Sequence, residues 1–267
     1  MNTPKKLLAT GHHGFVGTAT RAWLEENPSC GARWCELSEQ HDVLDPASLR
    51  RMLDAHQPDW IIHLAAQSHV PSSWSDPAAT LHLNVGGTAT LLKVLTEADF
   101  RGRLLYVSSA DVYGAVPTEL LPVSEAVPAE PRNPYAVSKV AAEALCQQWA
   151  RTQPLDIVIA RPFNHTGPGQ RPDFALPAFA RDVAGIRLGQ QPGRIMTGDL
   201  GVTRDFLDVR DVVAAYLALL ASGRRGEIYN VCSGRECNLG EALQQLIEIA
   251  GVHAEVVNDP ARMRPSE

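Results

Sequence analysis

Three glycines at every third position, Gly11, Gly14 and Gly17 in ATGHHGFVG, limit what this chain can fold into more than any other feature. Lys5 to Thr10, just before them, reads as a strand; Gly14 to Glu26, just after, has helical spacing and stops before Pro28. A G-x-x-G-x-x-G run between a strand and a helix lets backbone approach a pyrophosphate and sets that group on the helix N-terminus. The same spacing without a strand and a helix around it would mark only an ordinary turn. In this setting it predicts dinucleotide binding.

The strand–helix rhythm continues. Strands are expected at Ala32 to Leu37, Asp59 to Ala65, Arg103 to Ser108 and Leu155 to Arg161. Helices are expected at Pro46 to Ala55, capped by Asp45, in one long stretch capped by Asp76 with Pro77 first, and at Tyr135 to Arg151. Alternation of this kind gives right-handed βαβ units and a doubly wound parallel sheet, the Rossmann arrangement, in the α/β class. After Arg161 the rhythm breaks. RPFNHTGPGQRPDF is rich in Pro and Gly and reads as loop, followed by a helix near Leu176 to Leu188. DFLDVRDVVAAYLALL and EIYNVCSG then look like the sheet resuming. The reading is therefore a dinucleotide-binding domain from residues 1–161 and 205–232, and a smaller, discontinuous substrate domain from 162–204 and 233–267.

Composition excludes several functions. Net charge is −6 with no basic block, which argues against nucleic acid or an anionic membrane as partner. No apolar run reaches the roughly 18 residues of a membrane span, and MNTPKKLLATG does not have the pattern of a signal peptide. A cytoplasmic protein is expected. The five cysteines form no C-x-x-C pair and suit reduced thiols; the nine histidines show no ligand spacing, so no metal is expected.

The glycine loop also holds His12 and His13. They are either tolerant loop fillers, or His13 lies near the adenosine ribose and favours the 2′-phosphate of NADP. An acid about 20 residues beyond the glycines usually grips the 2′-hydroxyl of NAD, and Glu36 and Glu39 are the candidates. The two signals oppose each other, and NADP(H) against NAD(H) stays open.

NPYAVSK puts Tyr135 and Lys139 four apart, on one face of a helix start. Beside a lysine cation and a cationic nicotinamide the tyrosinate is favoured, so the phenol is expected to fall below its usual value of about 10 and serve as general acid. YVSSADVYG ends a strand with Ser108, Ser109 and Asp111 at the carboxyl edge, where such sheets face their ligand. A serine there can bind a carbonyl oxygen together with the tyrosine.

Taken together, TGHHGFVG, HLAAQS, SSADVYG and YAVSK resemble the extended short-chain dehydrogenase/reductases. RPFNHTGPGQ and RDFLDVRDV narrow the resemblance to the branch acting on GDP-linked 6-deoxy sugars, over nearly the whole chain. The resemblance implies that Ser109, Tyr135 and Lys139 are the catalytic set. It implies cofactor contacts from Gly11, His13, Gly14, Phe15, Val16 and Gly17, from Asp42 at the adenine with Val43, and from Leu64, Ala65 and Ala66 at a strand end. Asn84, Pro162 and Phe163 are implied cofactor contacts as well. Asn164 is implied at the sugar and phosphate, and Arg181, Arg204, Arg262 and Arg264 on the nucleotide side of the substrate. An arginine fork suits phosphate because it binds two oxygens at once.

The implied reaction is NAD(P)H-dependent reduction of the 4-keto group of GDP-4-dehydro-6-deoxy-D-mannose to GDP-D-rhamnose, for surface polysaccharide. A homodimer paired through the helices from Asp76 and Tyr135 is implied as well. Similar sequences are expected to run past RMRPSE by a further strand or helix, which would leave the second domain short at its end. The rival reading is a 4,6-dehydratase or epimerase, with Asp111 as a base two places after the serine. A scaffold that binds cofactor without chemistry would be expected to lack the tyrosine or the lysine, and both are present.

Overall fold

A computed structural model describes residues 3–37 and 41–262 of the chain. In order, the strands and helices are β1 (Lys5–Thr10), α1 (Phe15–Glu26), β2 (Ala32–Trp34), α2 (Pro46–His56), β3 (Trp60–His63), α3 (Val70–Ser75), α4 (Pro77–Leu81), α5 (Gly87–Glu97), β4 (Arg103–Val107), α6 (Pro134–Thr152) and β5 (Asp156–Pro162). They are followed by β6 (Asn164–Thr166), α7 (Ala175–Arg187), β7 (Arg194–Thr197), β8 (Thr203–Arg204), β9 (Phe206–Asp208), α8 (Val209–Ser222), β10 (Ile228–Val231), β11 (Cys237–Asn238), α9 (Leu239–Ala250) and β12 (Glu255–Asn258).

The chain forms two compact units. The first runs up to Phe163 and includes Val209–Val231. Its six-stranded sheet has the order β10-β5-β4-β3-β1-β2, and every pairing is parallel. WIIH, RLLYV and DIVIARP are nearly continuous apolar runs because the inner strands are covered on both faces. Leu8, Ile61, Leu91, Leu92, Leu95, Leu104, Ile157 and Ile159 are buried together in its core, joined by Ala142, Cys146 and Ala150 of α6. The alanine-rich face of α6 therefore covers the sheet.

Caps fix the helix starts. Asp45 accepts from the N–H groups of Ala47 and Ser48 at 2.9 and 3.1 Å, with Pro46 first in the helix. Asp76 accepts from Ala79 N at 2.9 Å. The long helix expected from Asp76 is not uniform, because a π turn at His82–Gly86 separates α4 from α5. Such bulges admit one extra residue per turn and re-aim the side chains inside them, here Asn84.

The second unit comprises Asn164–Asp208 and the chain from Cys232. Phe179 and Val183 of α7 pack with Leu243 and Ile247 of α9 and with Ile195 of β7, and β7 pairs in parallel with β12. Two expectations are corrected here. RPFNHTGPGQRPDF is not all loop: Asn164–Thr166 is a strand, paired in parallel with Phe206–Asp208. For the same reason DFLD does not return to the main sheet, since its backbone partners lie in β6. Only β10 rejoins it, beside β5. The unit boundaries accordingly fall after Phe163, Asp208 and Val231, not at 161, 204 and 232. No helix among the described residues is long and apolar enough to cross a membrane.

Candidate active site

The glycine loop follows β1 directly. Gly11 has φ +70°, and a Cβ there would stand 2.8 Å from Ala65 N; a Cβ on Gly17 would stand 2.5 Å from the carbonyl oxygen of His12. Both positions are closed to any side chain by neighbouring backbone. Gly14 differs. It is the N-cap of α1, no side chain caps that helix, and a Cβ there would meet only the Gly11 carbonyl oxygen, at 3.1 Å. Two glycines hold the turn close and the third keeps its outer face bare, which fits a pyrophosphate on the helix N-terminus. Phe15 and Val16 are half-buried as α1 begins.

His12 and His13 stack with ring centroids 3.9 Å apart. Burial, helped by neighbouring His13 and His41, holds His12 below the usual imidazole range, while His13 is exposed. Glu36 is engaged by Arg21 at 3.1 Å; Glu39 lies outside the described residues. Asp42 accepts from Leu44 N at 2.8 Å and so shapes its own turn. Val43 has its side chain buried in the core against Gly87, which leaves its main chain for a ligand. Leu64, Ala65 and Ala66 are half-buried just beyond β3. Pro162 ends β5, and Phe163 N donates to Val231 O at 2.9 Å.

Asn84, implied as a cofactor contact, braces the protein around it. Its carbonyl accepts from Gln67 N at 2.8 Å, and its amide donates to Gln67 O at 3.0 Å and to Ser138 Oγ at 2.8 Å. Ser138 Oγ donates to Tyr135 O at 2.6 Å. Both amide protons are thus spent inside the protein, on the helix that carries Tyr135 and Lys139. The buried Ser138 and the π turn join two elements 54 residues apart.

Tyr135 and Lys139 sit in the first turns of α6, whose cap Asn133 accepts from Ala136 N at 2.8 Å. Asn133 also donates to Asp111 Oδ2 at 2.8 Å, tying the helix start to the segment after β4. Ser109 caps that segment through Asp111 N at 3.2 Å and hydrogen-bonds Tyr135. Ser108 is buried, and its Oγ has no hydrogen-bond partner among the described residues. Lys139 Nζ donates to Val107 O at 2.8 Å and lies 5.7 Å from the Tyr135 ring centroid.

The expected fall in the Tyr135 pKa is not seen in the protein alone. Burial pushes the phenol well above its ordinary value and the charge of Asp111 adds to this, against the Ser109 hydrogen bond. A depressed value would need the charge of a cationic ring, which the protein itself does not supply. Burial lowers Lys139 to about 8, with Glu143 acting in the opposite sense. The arrangement is a protonated phenol beside a serine hydroxyl, with a buried amine behind both. It can donate two hydrogen bonds to one carbonyl oxygen and then a proton.

Sequence reasoning missed Glu143, Arg161 and Tyr113. Arg161 binds both carboxylate oxygens of Glu143, at 3.0 and 2.7 Å, and its guanidinium lies 4.7 Å from the Tyr113 ring centroid. Tyr113 donates to Asn230 Oδ1 at 2.7 Å. The one available signal was a glutamate one helical turn beyond Lys139.

The second unit holds Asn164, exposed on β6, and Arg204, exposed on β8 with Nη1 on Thr203 O at 2.9 Å. Arg181 pairs with its neighbour Asp182 at 2.9 Å. Arg262 donates to Met196 O at 2.8 Å. Arg264 lies outside the described residues.

Residues 7–232 match the NAD dependent epimerase/dehydratase family. The chain is 47% identical over 265 residues to GDP-6-deoxy-D-mannose reductase of Pseudomonas aeruginosa, covering 98% of this chain and 86% of that protein. It is 33% identical over 211 residues to dTDP-D-glucose 4,6-dehydratase of Homo sapiens, covering 79% of this chain and 58% of the relative. Among solved structures, RMD from Pseudomonas aeruginosa complexed with NADPH matches with a TM-score of 0.93 and 45% identity, over 98% of this chain and 87% of the other.

Proposed function

The chain belongs to the NAD dependent epimerase/dehydratase family, and on that premise we propose that it reduces the 4-keto group of GDP-4-dehydro-6-deoxy-D-mannose to GDP-D-rhamnose with NAD(P)H. The observation that carries this reading is the 47% identity to GDP-6-deoxy-D-mannose reductase, spread over 98% of the chain. The dehydratase likeness is weaker and covers less of both proteins.

When bound, the reduced nicotinamide supplies the hydride that adds to the sugar C4. The chain's own groups do the rest. The loop from Gly11 to Gly17 holds the pyrophosphate. Ser109 and Tyr135 donate hydrogen bonds to the C4 oxygen, and Tyr135 gives it a proton as charge develops. Burial favours this direction, because it keeps the phenol protonated until a base stronger than water presents itself. Lys139 is held by Val107 O beneath the tyrosine, where its charge favours phenolate once the proton has left. Asp111 is tethered by Asn133 and serves the geometry of the helix start. Asn164, Arg181, Arg204 and Arg262 are assigned to the nucleotide sugar, the arginines for its diphosphate. The same reading extends to a cytoplasmic homodimer that supplies surface polysaccharide synthesis, supported by the resemblance alone.

The test is absorbance at 340 nm with NADPH, then NADH, and enzymatically made GDP-4-dehydro-6-deoxy-mannose. Stoichiometric loss of absorbance is expected, and the faster cofactor reports what the paired histidines favour. No loss, with GDP-mannose converted to a keto sugar instead, would make Asp111 a base and the enzyme a dehydratase.

A further inference from the structure

His63 ends β3 with its whole imidazole buried, and the reaction as described makes no use of it. Its Nδ1 is 2.7 Å from Thr10 Oγ1 and its Nε2 is 3.1 Å from Thr88 Oγ1. The two hydroxyls decide the tautomer. Thr88 Oγ1 lies 2.6 Å from Asn84 O, and two oxygens approach that closely only with a proton between them. The hydroxyl proton of Thr88 is therefore committed to Asn84 O, and Thr88 must accept from Nε2–H. At the other end, Thr10 Oγ1 accepts from Ala65 N at 3.3 Å and gives its own proton to Nδ1. One chain of donations follows: Ala65 N–H to Thr10, Thr10 to His63, His63 to Thr88, and Thr88 to Asn84 O.

The chain ends where the cofactor is expected to lie. Thr10 immediately precedes Gly11, the left-handed turn whose Cα approaches Ala65 too closely for any side chain. Ala65 is at the strand end expected to line the cofactor. Asn84 belongs to the π turn and braces Gln67 and Ser138. Thr10, His63 and Thr88 are all nearly inaccessible to water, so each lost partner would be replaced by nothing. A neutral imidazole suits this place, since burial and the nearby Lys139 cation both disfavour a second positive charge.

Resting on the reductase reading above, we propose that His63, as the neutral Nε2–H tautomer, is a positioning residue for the dinucleotide: it locks the start of the glycine loop to the end of β3 and to α5. It touches neither cofactor nor substrate, and it acts by fixing the spacing between Gly11 and Ala65.

The experiment measures KM and Kd for NADPH, and kcat per folded site, in wild type, His63→Phe, Thr88→Val and Thr88→Ser. His63→Phe keeps an aromatic ring and removes both nitrogens; Thr88→Val is isosteric and removes both links made by the Thr88 hydroxyl, so it reads the same quantity if His63→Phe does not fold. KM and Kd for NADPH should rise about tenfold in both, with kcat at saturation little changed, and Thr88→Ser should restore wild-type affinity. A purely structural role would lower the folded fraction and leave the affinity of folded molecules alone. Unchanged NADPH affinity in folded variants, or a Thr88→Ser as weak as Thr88→Val, overturns the proposal. Wild-type protein that binds no reduced dinucleotide overturns the reductase reading and the proposal with it.

Discussion

Lys139 Nζ donates to the carbonyl oxygen of Val107 at 2.8 Å, two residues ahead of Ser109. One hydrogen bond thereby ties the helix that carries the tyrosine to the strand end that carries the serine. Because the amine is buried, its charge is easily lost: its pKa is lowered to about 8. Tyr135 is shifted upward and stays protonated there. Below pH 8 the free enzyme then has a charged Lys139, and above it the cation is lost. The profile of kcat/KM for the cofactor should fall as pH rises through about 8. Glu143→Gln should move that fall to lower pH, because Glu143 favours the charged amine. A flat profile from pH 7 to 10 in wild type would rule this out.

Tyr135→Phe removes the proton donor and leaves the buried ring in place. Turnover should drop by about 10²- to 10⁴-fold, with NADPH affinity by fluorescence titration nearly unchanged. Full activity in this variant would remove Tyr135 from the mechanism.

Much of this site was legible in the sequence because its signals are local. Ser109 follows a strand, Tyr135 and Lys139 share one helix face, and the glycines sit between β1 and α1. What was not legible depends on contacts between distant residues. The amide of Asn84 spans 54 residues to Ser138, and nothing in the composition around residue 84 announces a π turn. Arg161 looked like the end of a strand, yet its role is set by Glu143 on another element. The second unit was harder still. Strands of two to four residues, such as β8, β11 and β6, are too short to show a period. Phe206–Asp208 read as main-sheet strand for want of any sign that Asn164–Thr166 was its partner.

The three loop glycines should separate by substitution. Gly11→Ala forces a left-handed φ and a contact of 2.8 Å with Ala65 N, so it should destabilise the fold by about 1–3 kcal/mol. Gly14→Ala is tight against one atom alone, the Gly11 carbonyl oxygen at 3.1 Å, and fills the face kept bare for phosphate. It should lose less stability than Gly11→Ala and bind NADPH at least about tenfold more weakly. Thermal melts with and without NADPH distinguish the two; equal behaviour of both variants would discard this division of roles.

The buried pair Glu143–Arg161 predicts strong non-additivity. Glu143→Leu or Arg161→Leu alone strands a charge in the interior and should cost about 3–5 kcal/mol. Replacing both removes the stranded charge along with the pair, so the double variant should lose far less than the two single losses together. Urea unfolding of the four proteins measures this directly. Simple additivity would show that the pair is not electrostatically coupled, despite its bidentate geometry.

His63 ties stability to pH in a direction that can be worked out beforehand. Burial lowers its pKa from 6.5 to about 3, so the folded state holds the neutral ring where the unfolded chain would already be charged. The stabilisation is complete above pH 6.5. As pH falls below that value the unfolded state binds a proton that the folded state refuses, and stability declines by about 1.4 kcal/mol per pH unit until about pH 3. Carboxylates titrate across part of this range too, so the quantity to measure is the difference between wild type and His63→Phe. That difference should shrink steadily from pH 7 to pH 5 as wild type weakens relative to the variant. A constant difference would mean that His63 takes up a proton in the folded protein, and the one-way chain through Thr10 and Thr88 could not then exist as drawn.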